Sequence, residues 1–280
     1  MMAEYTADEP VRSLHSQKSD DDSQSTSEPL LRLALNDLRH PATKVFLENF
    51  HPTDDLAPLS GTVIKLLYPS ESVDSTSSMP RNITRRSAPQ PVIPGTKSIT
   101  LIMKDMPGVA YTSGSDLDNS HKDIAFSLAY INHVVKTSAD PAATNKEIHG
   151  VICHELVHCW QWDALGTAPG GLIEGIADWV RLRAGFVPPH WTHECGAKWD
   201  AGYHNTGYFL DWIERQRGAG SVSKINAALR QTKYNEEKFW KGLFGKSVNE
   251  LWSTYCKTFH GGDEMLVAGK GRHMVAQKWI

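Results

Sequence analysis

Cysteine is scarce, with four residues in a chain of 280, too few for a disulfide scaffold. Neither sign of charge dominates: 29 Lys and Arg face 32 Asp and Glu, for a formal net charge of −3. That balance excludes the basic surface a nucleic-acid partner requires. No run approaches 18 apolar residues, so no membrane-spanning helix is expected. Residues 1–25 lack the apolar stretch of a secretory signal; the expected setting is cytoplasmic, with secretion by another route left open. What remains is an ordinary soluble composition, 40% hydrophobic and 22% charged, in a chain long enough to bury a substantial core. The sequence does not give the oligomeric state.

The informative stretch is residues 151–185. It opens with His154-Glu155-Leu156-Val157-His158, the H-E-x-x-H pattern. On a helix, residues four apart share a face, so His154 and His158 can offer two imidazole nitrogens to one metal ion. Glu155 lies between them, where its carboxylate can act as general base on an activated water. With 13 His and 14 Glu in the chain, chance would supply only about 0.03 such matches. Catalytic zinc with two His needs a third protein ligand. Glu174 is the best candidate; Asp178, four residues on along the same helix face, is the alternative and otherwise suits the spare N–H of a ligand His. The other zinc-protease continuation needs Gly three residues after the second His and His or Asp six after it. Gln161 and Ala164 stand there, which excludes it.

HELVHCWQW, then P-x-GLIEGIADWVRLRAG, then P-x-x-W, over residues 147–191, resemble the basic secretory protein family of plant, bacterial and fungal peptidases. The resemblance extends through residues 99–131, Trp199-Asp200-Ala201-Gly202-Tyr203 and Leu251-Trp252-x-x-Tyr255, covering about residues 30–260. The chain's charge departs from the family's name. The resemblance implies a zincin-like α+β fold, a mixed sheet packed on the H-E-x-x-H helix, and a helical C-terminal subdomain. It implies a Zn2+ cofactor and a peptide or protein substrate. It supports Glu174 as third ligand, since the Glu of a similar element fills that role in related zincins. In several zincins a later Tyr or His hydrogen-bonds the tetrahedral intermediate, and Tyr203 or His204 could do so here. The family pattern usually has Asp at the place of His204, which weakens any role there.

Taken in order, residues 1–28 are polar and acidic and read as a disordered arm. Residues 30–35 read as a strand. Residues 45–50 either extend the sheet or begin a helix, and 54–68 form an amphipathic helix. Residues 69–97, Ser-, Pro- and Arg-rich, read as a flexible insertion; within it stand the basic run RNITRR and a glycosylation sequon at Asn82. Residues 98–104 read as a buried strand. Residues 108–113 suit an edge strand, whose Val109, Ala110, Tyr111 and Thr112 would pair with extended substrate. Residues 123–131 read as another strand. Thr144-x-x-Glu147 matches a capping box that opens the H-E-x-x-H helix, which runs to about Trp162. A second helix covers 172–183. Cys153 and Cys159 read as small core packers, and Cys195 and Cys256 could pair if the chain is exported. His190, His193, Cys195 and His204 cluster without zinc-site spacing. Helices follow over 203–217 and 223–230, and Ser247-x-x-Glu250 caps another to residue 259. Residues 29–260 then form the zincin-like peptidase domain, and 261–280 a mobile tail. The function expected is metal-assisted peptide hydrolysis. A zinc-binding defence or interaction protein without proteolysis, or a non-peptidase zinc hydrolase, stay open beside it.

Overall fold

In the computed structural model, residues 28–70, 90–138 and 140–260 are described. The readings at residues 1–27, 71–89 and 261–280, which include the arm, most of the insertion with its sequon, and the tail, lie outside them. The described residues form a mixed α+β structure around one four-stranded sheet. Strand β1 (Leu30–Leu35) lies parallel to β2 (Ser98–Lys104), and β2 parallel to β4 (His121–Ser127). The last strand, β3 (Ala110–Gly114), runs antiparallel to β4 and ends the sheet, in the order β1-β2-β4-β3. The alternation of Ile99, Leu101 and Met103 puts them on one face of β2, beside Ile124 and Phe126 of β4, all fully buried. They share a core cluster with Ile148, Ile152 and Leu156.

Several boundaries differ from the sequence expectations, two of them because of a side-chain cap, and the choice left open at residues 45–50 falls to helix. Residues 45–49 belong to helix α1 (Pro41–Asn49), with Phe50 as its C-cap; Pro41 opens the helix while His40 Nδ1 accepts from Ala42 N at 3.2 Å, and proline suits this position because its missing N–H has no intrahelical partner there. Helix α2 (Pro52–Leu67) likewise opens on a proline. The strand expected over 123–131 stops at Ser127, whose hydroxyl accepts from Tyr130 N at 3.1 Å and opens α3 (Leu128–Thr137). The H-E-x-x-H helix, α4 (Pro141–Trp160), begins three residues before Thr144, at Pro141, behind the N-cap Asp140, whose carboxylate accepts from Ala142 N at 2.9 Å. Thr144 is buried inside the helix, and Glu147 is not a cap but the anchor of a cross-helix ion pair.

That pair reaches helix α5 (Gly170–Arg183). Arg181 donates to Glu147 Oε2 at 2.7 Å and to Phe186 O at 3.0 Å, while Tyr130 donates to Glu147 Oε1 at 2.8 Å. The guanidinium crosses α4 at Gly150, where a Cβ would lie 2.7 Å from Arg181 Nε. Helix α6 (Tyr203–Arg217) packs on the other side of α5. A Cβ at Gly171 would meet Asp200 O at 1.9 Å, and one at Gly175 would meet Thr206 Cγ2 at 2.2 Å, so this approach requires glycine. Helices α7 (Ser221–Ala228), α8 (Glu236–Phe244) and α9 (Val248–His260) complete the C-terminal part. Ser247 and Glu250 exchange the reciprocal hydrogen bonds of a capping box. Cys195 and Cys256 form a disulfide, whereas Cys153 and Cys159 are free and buried.

Breaking the buried Arg181–Glu147 pair from one side should cost about 3–5 kcal/mol, because Glu147 would keep an uncompensated charge. Urea unfolding of Arg181→Met should show that loss. The double variant Arg181→Met, Glu147→Gln should recover most of it.

Candidate metal centre

Helix α4 places its chemistry on one stripe. Glu147, Val151, His154 and His158 fall at i, i+4, i+7 and i+11, and α5 answers with Glu174, Asp178 and Arg181 at i, i+4 and i+7. These spacings bring one face of each helix against the other. His154 Nδ1 lies 2.7 Å from Asp178 Oδ1, and His154 Nε2 lies 3.0 Å from Glu174 Oε2. His158 Nε2 is 3.2 Å from His154 Nε2 and 3.7 Å from Glu174 Oε1. Among the described residues, His154, His158 and Glu174 form the group able to hold a metal ion. Asp178 is committed to the far side of His154.

The distances fit a metal on their own terms. Ligand atoms about 2.0–2.1 Å from a tetrahedral zinc stand about 3.3 Å from one another, close to the separations here. The charges fit as well. Burial works against a charge on His154, yet its hydrogen bonds to Asp178 and Glu174 overcome this and push the ring up to about 9. Burial, then the His154 charge, pushes His158 down to about 4. Burial would raise Glu174, but its hydrogen bond with His154 and the imidazole charges hold it below its ordinary value. Carboxylates thus surround a point that two imidazole nitrogens also face, the setting a divalent cation would neutralise.

Glu155 is buried beside this group, and burial pushes its carboxyl up against the opposing pull of His154 and Thr112. Thr112 Oγ1 lies 2.7 Å from Glu155 Oε2 and 3.0 Å from Glu155 O, so the end strand β3 holds the carboxylate in place. Val109, Ala110, Tyr111 and Thr112 all line a cleft of about 1130 Å³ that also contains the His-Glu group. Tyr203 stands at its mouth, its ring stacked on His154 at 6.1 Å between centroids. Glu174's charge, then burial, raises its hydroxyl. His204 turns to Trp191, stacking at 5.7 Å. His193 stacks on Tyr208 at 4.4 Å and Cys195 is spent in the disulfide, while His190 and His204 line the cleft outside the group able to hold a metal.

A family model described as a peptidase of plants and bacteria matches residues 28–255. The chain belongs to this basic secretory protein family. No curated protein and no solved structure matches it. Family membership implies peptidase character and a peptide or protein substrate. Among the described residues, no helix is long and apolar enough to cross a membrane.

The sequence reading missed the Arg181–Glu147–Tyr130 network, although the stripe of Glu174, Asp178 and Arg181 was there to be read. It also missed Gln161, whose side-chain Nε2 lies 2.8 Å from His158 Nδ1. Nothing in the spacing marked Tyr203 as strained, yet it sits at φ 46° and 57% exposed. A bulky residue is disfavoured there by about 1–2 kcal/mol, so Tyr203→Gly should be more stable than Tyr203→Ala by about 1 kcal/mol in chemical unfolding. Equal stabilities would show that no strain is held at this position.

Proposed function

We propose that the chain is a zinc-dependent peptidase of zincin-like fold, with residues about 29–260 as its catalytic domain. The observation that carries this reading is the convergence of His154 Nε2, His158 Nε2 and the Glu174 carboxylate, with Glu155 fixed beside them by Thr112. Zinc bound there would supply Lewis acidity and a nucleophilic water at neutral pH. Asp178 accepts from His154 Nδ1 and so keeps Nε2 turned to the shared point. Glu155 takes a proton from the attacking water and hands it to the leaving amine. The hydrogen bond from Thr112 keeps one carboxylate oxygen fixed while the other accepts the proton. Tyr203, at the cleft mouth, donates its hydroxyl to the developing oxyanion, a contribution of about 10²-fold by comparison with other such donors.

The free edge of β3 supplies the substrate-binding strand. Ala110, Tyr111 and Thr112, with Val109 just before them, line the cleft on a strand that is paired on one side alone among the described residues. An extended peptide can add to that edge through main-chain hydrogen bonds. A purely structural zinc site has no use for a carboxylate buried as Glu155 is, which favours hydrolysis over a silent binding role. The Cys195–Cys256 bond supports a setting where disulfides persist, the exported one of the two considered.

The test is zinc content and peptide hydrolysis on wild type, Glu155→Gln and Glu174→Ala. Wild type should hold one zinc and cut peptides. Glu155→Gln should keep the zinc and lose at least 10²-fold in kcat, the scale of a lost general base, and Glu174→Ala should lose the zinc. A wild type that holds zinc and hydrolyses no peptide would replace the peptidase reading with a binding one.

A further inference from the structure

Gln161 ends helix α4 as its C-cap residue, three positions after His158. Its main chain is held on both sides. Tyr68 donates its hydroxyl to Trp160 O at 2.5 Å, and Trp162 N donates to Asn226 Oδ1 at 3.0 Å. Its own N–H donates to Val157 O at 2.8 Å. The side chain is therefore delivered to one place, with Nε2 lying 2.8 Å from His158 Nδ1. The other end of the same amide, Oε1, is buried without a partner among the described residues. A buried carbonyl oxygen left unpaired is costly and uncommon.

The two ends of a carboxamide are exchanged by a half-turn of its last torsion, and the hydrogen-bond network decides between them. A His that offers Nε2 to a metal carries its proton on Nδ1 and needs an acceptor there. With the amide turned, Oε1 takes the place 2.8 Å from His158 Nδ1 and accepts from its N–H, the direction a ring that offers Nε2 to a metal requires. His154 already shows the same arrangement, with Asp178 as the acceptor.

We propose that Gln161 is a positioning residue of the metal centre. It accepts from His158 Nδ1–H, fixes the tautomer that leaves Nε2 free, and holds the ring at the shared point. Resting on the zinc reading above, this gives each ligand His its own acceptor: a carboxylate from α5 for the first and an amide from α4's own end for the second.

The experiment measures zinc affinity by competition with a chromophoric chelator on wild type, Gln161→Ala and Gln161→Glu, with the unfolding midpoint of each in excess chelator as the control for folding. Nitrogen-15 histidine spectra of the zinc-loaded proteins report which ring nitrogen carries the proton. Gln161→Ala should bind zinc about 10–100-fold more weakly, with an unchanged metal-free midpoint and a His158 Nδ1–H that exchanges quickly with solvent. Gln161→Glu, which keeps an acceptor, should bind at least as well as wild type. Equal affinity in wild type and Gln161→Ala would overturn this role while leaving the centre standing, as would a Gln161→Glu as weak as Gln161→Ala. A wild type with no zinc affinity would remove the centre itself, and the role with it.

Discussion

The hydrogen bond between His154 Nδ1 and Asp178 Oδ1 joins the two helices on which the rest depends. Both residues are buried, at 7% and 3% exposure. A carboxylate so far from water is stable only with a close partner, and an imidazole so placed can present only its other nitrogen. The same contact therefore fixes the distance between α4 and α5 and decides which atom of His154 faces Glu174. Arg181 and Glu147 repeat the tie seven residues back along α4 and three residues on along α5, crossing α4 where Gly150 leaves room. Together the two ties fix both the separation and the rotation of the helices, which a site of three converging atoms demands.

The glycines of α5 carry the arrangement outward. Gly171 and Gly175 let α6 and the segment before it come within backbone contact. Thr206 then closes that segment, accepting from Gly202 N and donating to Trp199 O. Its consequence is Tyr203, forced into a left-handed conformation with its ring over His154. Strain of this kind persists only where the surroundings over-determine it. On the opposite wall, Thr112 of β3 reaches Glu155. The cleft is thus bounded by a strand edge, two helices and the strained start of a third, each braced by contacts to its neighbours.

Much of this was legible in the sequence because the signals were periodic and local. The four-residue spacings of His154, His158, Glu174 and Asp178 specify a face, and a face is what the helices present. Strands β1 and β2 and helix α6 fall where their residue patterns place them. The boundaries that were misread turned on competition between neighbouring signals. Ser127 follows a run apolar enough to read as strand, and a single hydroxyl cap ends it. Asp140-Pro141 outcompetes Thr144-x-x-Glu147 because Glu147 gains more from Arg181 than from a cap. Contacts between residues distant in sequence, such as Arg181 with Glu147 and Thr112 with Glu155, carry no local mark. Gln161 was read only as the residue that breaks another pattern, since a side chain at a helix end shows its partner only once the helix is built.

The account stands or falls on whether His154, His158 and Glu174 hold one zinc. The most direct test is anomalous diffraction at the zinc absorption edge from crystals grown with the metal. The account predicts one strong peak about 2.0–2.2 Å from His154 Nε2, His158 Nε2 and a Glu174 oxygen, with Asp178 outside bonding distance. A peak bonded to Asp178 in place of Glu174, or zinc bound only elsewhere on the protein, would contradict it.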